Sequence, residues 1–191
     1  MPKLGMEPIR RAALVKATID VIGAHGSLDV TVSQIAKRAG MSSALAHHYF
    51  GGKNQIFLAA MRQILRDFAV EVLEKLHEAS TPRARAEALI GASFAPSCFE
   101  ASTVSAWMTL YAQATARPEM YRLLRLYQRR LHSNLTHALR PLSSSPIHDA
   151  TTLAALIDGL YLRAALARNT APDTAHATAL RALDHLIGTP S

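Results

Sequence analysis

Residues 31–42 of the chain read Thr-Val-Ser-Gln-Ile-Ala-Lys-Arg-Ala-Gly-Met-Ser, and this stretch decides the fold. Thr31 can cap a short helix, and Gln34, three residues later, completes a capping box. Gly40 can adopt the left-handed conformation that ends a helix. Ser42 can then cap a second helix of about eight residues. Two capped helices joined by a glycine turn make a helix-turn-helix, which presents its second helix to the major groove of DNA.

The distribution of charge supports a DNA-binding function for the first third of the chain. The 191 residues carry 21 Lys and Arg against 14 Asp and Glu, a net charge of +7. Residues 1–68 carry 9 basic and 4 acidic side chains, whereas the remaining 123 residues carry 12 and 10. The positive excess is concentrated around the helix-turn-helix, as attraction to phosphates requires. A generally basic protein is the alternative interpretation.

Helical patterns extend along the rest of the chain. No run alternates cleanly between apolar and polar residues, and no Asn-Gly or Asp-Gly hairpin turn occurs. Apolar periodicity between Pro and Gly residues predicts an all-α fold of about nine helices. We expect an N-terminal three-helix DNA-binding domain over residues 8–68 and a helical ligand-binding and dimerisation bundle over residues 69–191. A long helix predicted from Lys53 to about His77 would couple the two.

Cysteine usage and apolar content indicate a protein of the cytoplasm. Cys98 is the only cysteine, so an internal disulfide is impossible. The N-terminus lacks the apolar core of a signal peptide. The longest charge-free run, residues 101–116, is short and rich in Ser and Thr, so we do not expect it to span a membrane.

The helix-turn-helix residues resemble the DNA-binding domain of the TetR family of bacterial repressors. The matching positions are Thr31-Val32, Gln34-Ile35-Ala36, Ala39-Gly40, Ser42, Tyr49-Phe50 and Lys53. A narrower resemblance is to the choline-responsive repressors of the genes that convert choline to glycine betaine. It rests on residues 1–6, 9–11, 121–123, 129–131, 133–135 and 153–160. The resemblance implies a homodimer that binds a palindromic operator in double-stranded DNA and whose repression choline relieves.

The chain departs from the family pattern near the end of the second helix. Ala46 and His47 stand where the family often has Leu and Tyr. Because that tyrosine commonly helps to hold DNA, its role is either missing here or taken by His47. Gly51-Gly52 replaces the usual polar residues before Lys53, so the long helix lacks a side-chain cap at its start.

The predicted DNA-binding residues form two groups. The candidates for contact with base edges are Ser43, Ala44, Leu45 and His47. None of them can make the bidentate base contact of an Arg, Asn or Gln, so we expect modest direct readout with a contribution from DNA shape. The candidates for phosphate contact are Tyr49 and Lys53, by family position, and Thr31, Ser33, Ser42 and His48. The Tyr49 ring can also pack in the core of the unit, where we place Phe50. His47 and His48 are not expected to bind a metal, since adjacent histidines on a helix point about 100° apart. No cofactor is expected.

A stripe of aromatic residues predicts a ligand site. Glu100, Val104, Trp107 and Tyr111 fall on one helical face. A quaternary ammonium is held by aromatic faces through cation–π attraction and by a nearby negative charge. Glu100, Trp107 and Tyr111 are therefore candidate ligand residues, with ordinary core packing as the alternative.

Asp158 is a second candidate, because it lies within an apolar helical run. Burying a carboxylate is costly unless it is paired. A cationic ligand would pair it, and so would an arginine such as Arg122 or Arg125. Tyr161 shares its face, three residues further on. Tyr127 and Phe94 are weaker candidates for the same cage.

Small residues in the last two predicted helices are typical of a four-helix dimer interface, as the family has, although packing within one chain would explain them too. They include Ala154, Ala155, Ala164, Ala165, Ala167, Ala175, Ala177, Ala179 and Ala182. Two other functions stay open: a repressor of an efflux or other operon that responds to a different cationic or lipophilic ligand, and an architectural DNA-binding protein without a ligand. An enzyme is not expected, since the catalytic motifs G-x-S-x-G, H-E-x-x-H and C-x-x-C do not occur.

Overall fold

The computed structural model describes residues 6–25, 30–167 and 172–188. Within them the chain forms nine α-helices, one 3-10 helix and no strand, which confirms the all-α prediction. The helices are α1 (Met6–His25), α2 (Val32–Arg38), α3 (Ser43–Phe50), α4 (Lys53–Glu78), α5 (Pro82–Ser93), α6 (Ala101–Ala114), α7 (Pro118–Leu139), α8 (Pro146–Leu166) and α9 (Pro172–Leu186), with the 3-10 helix at Pro96–Phe99.

The helix-turn-helix forms as its capping residues predict. The Gln34 backbone N–H donates to the Thr31 hydroxyl at 3.2 Å, and the Thr31 N–H donates to the Gln34 side chain at 2.6 Å, which completes the capping box. Gly40 has a φ of 68°, the left-handed conformation that a glycine adopts without strain. The Ser42 hydroxyl then accepts the Leu45 N–H at 3.2 Å at the start of α3. Local hydrogen bonds thus determine both ends of the turn.

The helices divide into two compact units. The first comprises the chain up to Arg66 together with Glu100–Arg122, and the second comprises Asp67–Phe99 together with the chain from Leu123 onward. The helix α6 therefore groups with the helix-turn-helix, whereas the sequence-based division places it in the C-terminal domain. The helix α4 contributes residues to both units.

In the first unit, α6 packs closely on α1. Gly23 of α1 lies so near to Ser102 that an added Cβ would come within 2.7 Å of the Ser102 Cβ. Ordinary contact between carbon atoms is about 3.5–4.0 Å. Gly23 is therefore required by the close approach of two helices, and any larger residue would push them apart.

The second unit is a bundle in which α5, α8 and α9 pack on one another. Its buried side chains include Leu89, Ile90, Leu135, Leu153 and Leu183. At its surface, Arg83 forms ion pairs with Glu87 in its own helix and with Asp184 in α9. The helix α8 ends at Leu166. No helix in the described part of the chain is both long and apolar enough to cross a membrane.

Candidate DNA-binding and ligand sites

The surface of α3 carries the side chains predicted to meet base edges. Ala44 and His47 are exposed, and Ser43 and Leu45 are partly exposed. The Ser43 hydroxyl donates to the Ser33 hydroxyl of α2 at 2.9 Å, so the two helices are joined by the same polar groups that face outward. The predicted phosphate contacts Thr31, Ser42 and His48 are also exposed, whereas Lys53 is partly exposed.

His47 has a defined orientation at the end of α3. Its Nδ1 atom lies 3.2 Å from the Gly51 carbonyl oxygen. Because a carbonyl only accepts, Nδ1 carries the proton in this contact, and a neutral ring then keeps Nε2 as an acceptor. The preceding residue, Ala46, is completely buried, so the small residue at this family position belongs to the core of the unit.

Tyr49 lies beside two arginines of α1. Arg10 donates to the Tyr49 hydroxyl at 3.5 Å, and the Arg11 guanidinium carbon lies 5.5 Å from the centre of the Tyr49 ring. Arg11 also lies 5.2 Å from the centre of the Phe50 ring, which is only partly buried rather than enclosed in the core as expected. Arg11 is also ion-paired with Glu7, so Arg10 is the guanidinium beside Tyr49 that has no carboxylate partner among the described residues. Arg10 and Arg11 were not among the residues predicted to bind DNA. The excess of positive charge in residues 1–68 was the feature of the sequence that could have indicated them.

In the first unit, α6 brings Trp107 and Tyr111 together. Their ring centroids are 5.9 Å apart and the rings are inclined by 32°. Trp107 is buried and Tyr111 is partly buried. Glu100 is exposed and precedes α6 as its N-cap residue, seven positions or about 10 Å before Trp107 along the helix axis. The carboxylate of the stripe therefore lies apart from its aromatic rings.

The second unit contains a carboxylate that accepts a hydrogen bond from an aromatic side chain. The Tyr127 hydroxyl of α7 donates to Asp158 of α8 at 3.0 Å, and the Tyr127 ring meets Phe68 of α4 edge to face at 6.3 Å between centroids. Burial raises the pKa of Asp158, and the hydrogen bond from Tyr127 partly opposes that rise. Among the described residues no arginine or lysine forms an ion pair with Asp158. The arginines named as alternative partners, Arg122 and Arg125, are exposed.

Two other aromatic candidates have partners within the second unit. The Tyr161 hydroxyl donates to the Cys98 carbonyl oxygen at 2.9 Å, and its ring lies 5.2 Å from that of Phe99. These contacts tie α8 to the 3-10 helix. Phe94 is buried with its ring 6.2 Å from that of His176. Burial also raises the pKa of the Cys98 thiol to about 11, so this cysteine is protonated at neutral pH.

Comparison with known families covers both halves of the chain. Residues 14–60 match the bacterial regulatory proteins of the tetR family. Residues 82–188 match the family described as the BetI-type transcriptional repressor, C-terminal. The second match alone spans more than half of the chain.

Two similar proteins are named HTH-type transcriptional regulator BetI. The one from Brucella melitensis biotype 2 is 50% identical over 182 residues, which cover 94% of this chain and 91% of that protein. The one from Agrobacterium fabrum is 49% identical over 170 residues, which cover 87% and 82%.

Solved structures share the fold at lower identity. A transcriptional regulator from Pseudomonas aeruginosa PAO1 superimposes with a TM-score of 0.83 at 23% identity, covering 97% of this chain and 93% of that one. A regulator from Saccharomonospora viridis in complex with choline gives a TM-score of 0.82 at 22% identity, covering 92% and 95%. With its capped helix-turn-helix and these matches, the chain belongs to the TetR family and, within it, to the BetI-type transcriptional repressors; it is a DNA-binding regulator and not an enzyme.

Proposed function

We propose that this repressor responds to choline and controls genes that convert choline to glycine betaine. As a regulator of the chromosome it would act in the bacterial cytoplasm. The observation that carries the proposal is Asp158, a partly buried carboxylate that has an aromatic hydrogen-bond partner and no ion-pair partner among the described residues. The choline complex of the related Saccharomonospora viridis regulator supports the same ligand class.

The chemistry of this cluster suits a quaternary ammonium. Such a cation offers no N–H donor, so it binds through charge and through contact with aromatic faces. Asp158 supplies the charge, and Tyr127 and Phe68 supply rings within the same unit. The cost of burying the carboxylate, which its raised pKa reports, falls when a cation pairs with it. The cluster is therefore electrostatically prepared for a cation.

Trp107 and Tyr111 form a separate aromatic pair on α6, in the unit that contains the helix-turn-helix. We retain this pair as a candidate effector contact of the first unit, independent of the Asp158 cluster, and we retain Glu100 and Tyr161 as further candidates. Because α6 packs on α1 at Gly23, a ligand that displaced α6 would act directly on the DNA-binding unit. The helix α4, which contributes residues to both units, provides a second connection.

The proposed functional species is a homodimer on a palindromic operator. Ile147, Ala155, Gly159, Leu162 and Leu166 of α8 are exposed, and all fall on one helical face. The same arc also contains the exposed Thr151 and the partly exposed Asp158, so the face is mixed in character. Its exposed apolar side chains are typical of an interface between subunits. The alanines also serve packing within the chain, since Ala164, Ala175 and Ala179 are buried in the single subunit.

Two experiments test these points. The DNA upstream of the gene should bind the protein in a gel shift, and choline should weaken that binding; no effect of choline, together with release by a larger lipophilic cation, would favour a different effector. In sedimentation, Ala155→Arg should yield monomers with weakened operator binding. The exposed Asn134→Arg on α7 is the matched control and should stay dimeric. If both variants remain dimers, the interface lies elsewhere.

A further inference from the structure

One face of α7 in the second unit is strongly basic. Arg125, Arg129 and Arg130 belong to this helix, and Arg140 follows its last residue, continuing the helix through a hydrogen bond to the Thr136 carbonyl oxygen. All four arginines are exposed. At 100° per residue they fall within an arc of about 140°. Residues 123–148 contain no Asp or Glu. We call these four residues the arginine face.

The charges of the arginine face are not neutralised within the described part of the chain. None of its four guanidinium groups forms an ion pair or a side-chain hydrogen bond there. By contrast, Arg83 of the same unit pairs with two carboxylates. Arg125 and Arg129, four residues apart, repel each other on the helix surface. The arrangement therefore gains from an external polyanion that brings several negative charges at once.

The opposite face of α7 limits the choice of polyanion. Leu124, Leu131, Leu135 and Leu139 are buried in the bundle. A basic amphipathic helix that binds a membrane must insert its apolar face among the lipids. In α7 that face is occupied by the protein core, and on the arginine side the exposed large apolar residue is Leu126, which is too little apolar surface for insertion. The arginine face therefore offers mainly charge and hydrogen bonds. Regularly spaced phosphates require nothing more.

We propose that the arginine face is a second DNA-binding surface, which contacts duplex phosphates independently of sequence and apart from the helix-turn-helix. From Arg125 to Arg140 the helix rises about 22 Å. Over that distance a duplex presents a negative charge about every 1.7 Å of its axis, so phosphates are available along the whole length of the arginine face. Arginine also binds phosphate oxygens through two parallel N–H donors. This function adds non-specific affinity to that of the recognition helices.

The test uses the full-length protein and a fluorescent duplex that lacks the operator. Binding is followed by anisotropy across a series of NaCl concentrations for the wild type and for Arg129→Gln/Arg130→Gln. The slope of log K against log salt should fall in magnitude by about 2 for the double variant, at about 0.9 for each phosphate that is no longer neutralised. The matched control is Arg163→Gln/Arg181→Gln, which removes two exposed arginines from α8 and α9 and should leave the slope unchanged. Arg129→Lys/Arg130→Lys should retain most of the wild-type slope.

Three results would overturn the proposal. Equal slopes for the wild type and the Gln double variant would remove the arginine face from DNA binding. An equal fall in the control pair would show that only net charge matters. Binding of poly-glutamate or of phosphatidylglycerol vesicles that disappears in the Gln double variant, with the DNA slope unchanged, would assign the face to an acidic protein or a lipid surface instead.

Discussion

Substitution of Asp158 by Asn separates the charge of the proposed choline site from its shape. Asn keeps an oxygen that can accept the Tyr127 hydrogen bond, now 3.0 Å long, and removes the negative charge. Two unit charges about 4–5 Å apart attract by about 4 kcal/mol at an effective dielectric constant of 20. Because Asp158 is only partly buried, solvent screening reduces this to about 1–3 kcal/mol. Asp158→Asn should therefore weaken choline binding by about 10- to 100-fold.

The assay is calorimetry with choline and with its uncharged isostere 3,3-dimethylbutan-1-ol. The isostere fills the same space but has no charge to pair, so its affinity should be nearly equal for the wild type and Asp158→Asn. An equal loss for both ligands would mean that Asp158 supports the structure rather than the cation. Unchanged choline affinity in the variant would refute the assignment of the site.

The pKa of Asp158 adds a dependence on pH to the same experiment. Burial raises this pKa in the folded protein, so protonation removes the charge at a higher pH than for an ordinary aspartate. Choline affinity of the wild type should fall as the pH drops through the raised pKa, whereas the affinity of Asp158→Asn should show no such step. Since the folded state holds this proton more tightly, the group's stabilising contribution is present below the unfolded pKa and lost as pH rises through the folded pKa. Without ligand, Asp158→Asn should consequently melt at a higher temperature than the wild type at neutral pH, with a smaller difference in acid.

Three further changes test the DNA-binding unit. Lys53→Ala should lower specific and non-specific DNA affinity together and reduce the salt slope by about 1, and an unchanged salt titration would exclude Lys53 from the phosphate contacts. In Gly23→Ala the overpacking against Ser102 should cost about 1–3 kcal/mol of unfolding free energy in urea denaturation. The better helix propensity of Ala offsets about 1 kcal/mol of that loss. Gly91→Ala, whose Cβ would lie 3.7 Å from the His176 ring, is the control and should be neutral or stabilising; equal effects of the two would refute the close approach to Ser102. Trp107→Leu should cost about 1–2 kcal/mol of choline affinity while operator binding survives, and wild-type choline affinity would return Trp107 to the core.

The sequence was sufficient where the determining interactions are local. The capping hydrogen bonds of Thr31, Gln34 and Ser42 join residues only three positions apart in the sequence. Gly40 ends its helix through its own backbone conformation. Such interactions follow from spacing alone, so the caps and the turn of the helix-turn-helix were predicted correctly. Proline at the first helical position likewise marked the starts of several later helices.

Contacts between distant helices could not be read in this way. The partner of Asp158 is Tyr127, 31 positions earlier, and helical periodicity does not say which faces meet. The sequence offered an arginine or a ligand for the carboxylate, and the structure supplies a phenol. Glu100 satisfied the spacing of the aromatic stripe, yet it precedes α6 and is exposed. The spacing did not exclude it, since periodicity does not reveal where a helix begins. The packing of α6 on α1 depends on the absence of a side chain at Gly23, which no apolar pattern indicates.

The binding energies at the DNA-binding surface and at the proposed choline site can be compared to ask how a ligand would switch repression. The recognition helix α3 carries no Arg, Asn or Gln, so its base contacts are individually weak and much of its affinity must come from phosphates. The proposed dimer would compensate, because discrimination at two half-sites adds, at about 1–3 kcal/mol for each base pair. Such binding is sensitive to the spacing of the half-sites. A tenfold to hundredfold loss of operator affinity needs about 1.4–2.8 kcal/mol of coupling. The attraction proposed between Asp158 and a cation is of that size, so one such charge pair, made in only one of two conformations, would be sufficient to control repression.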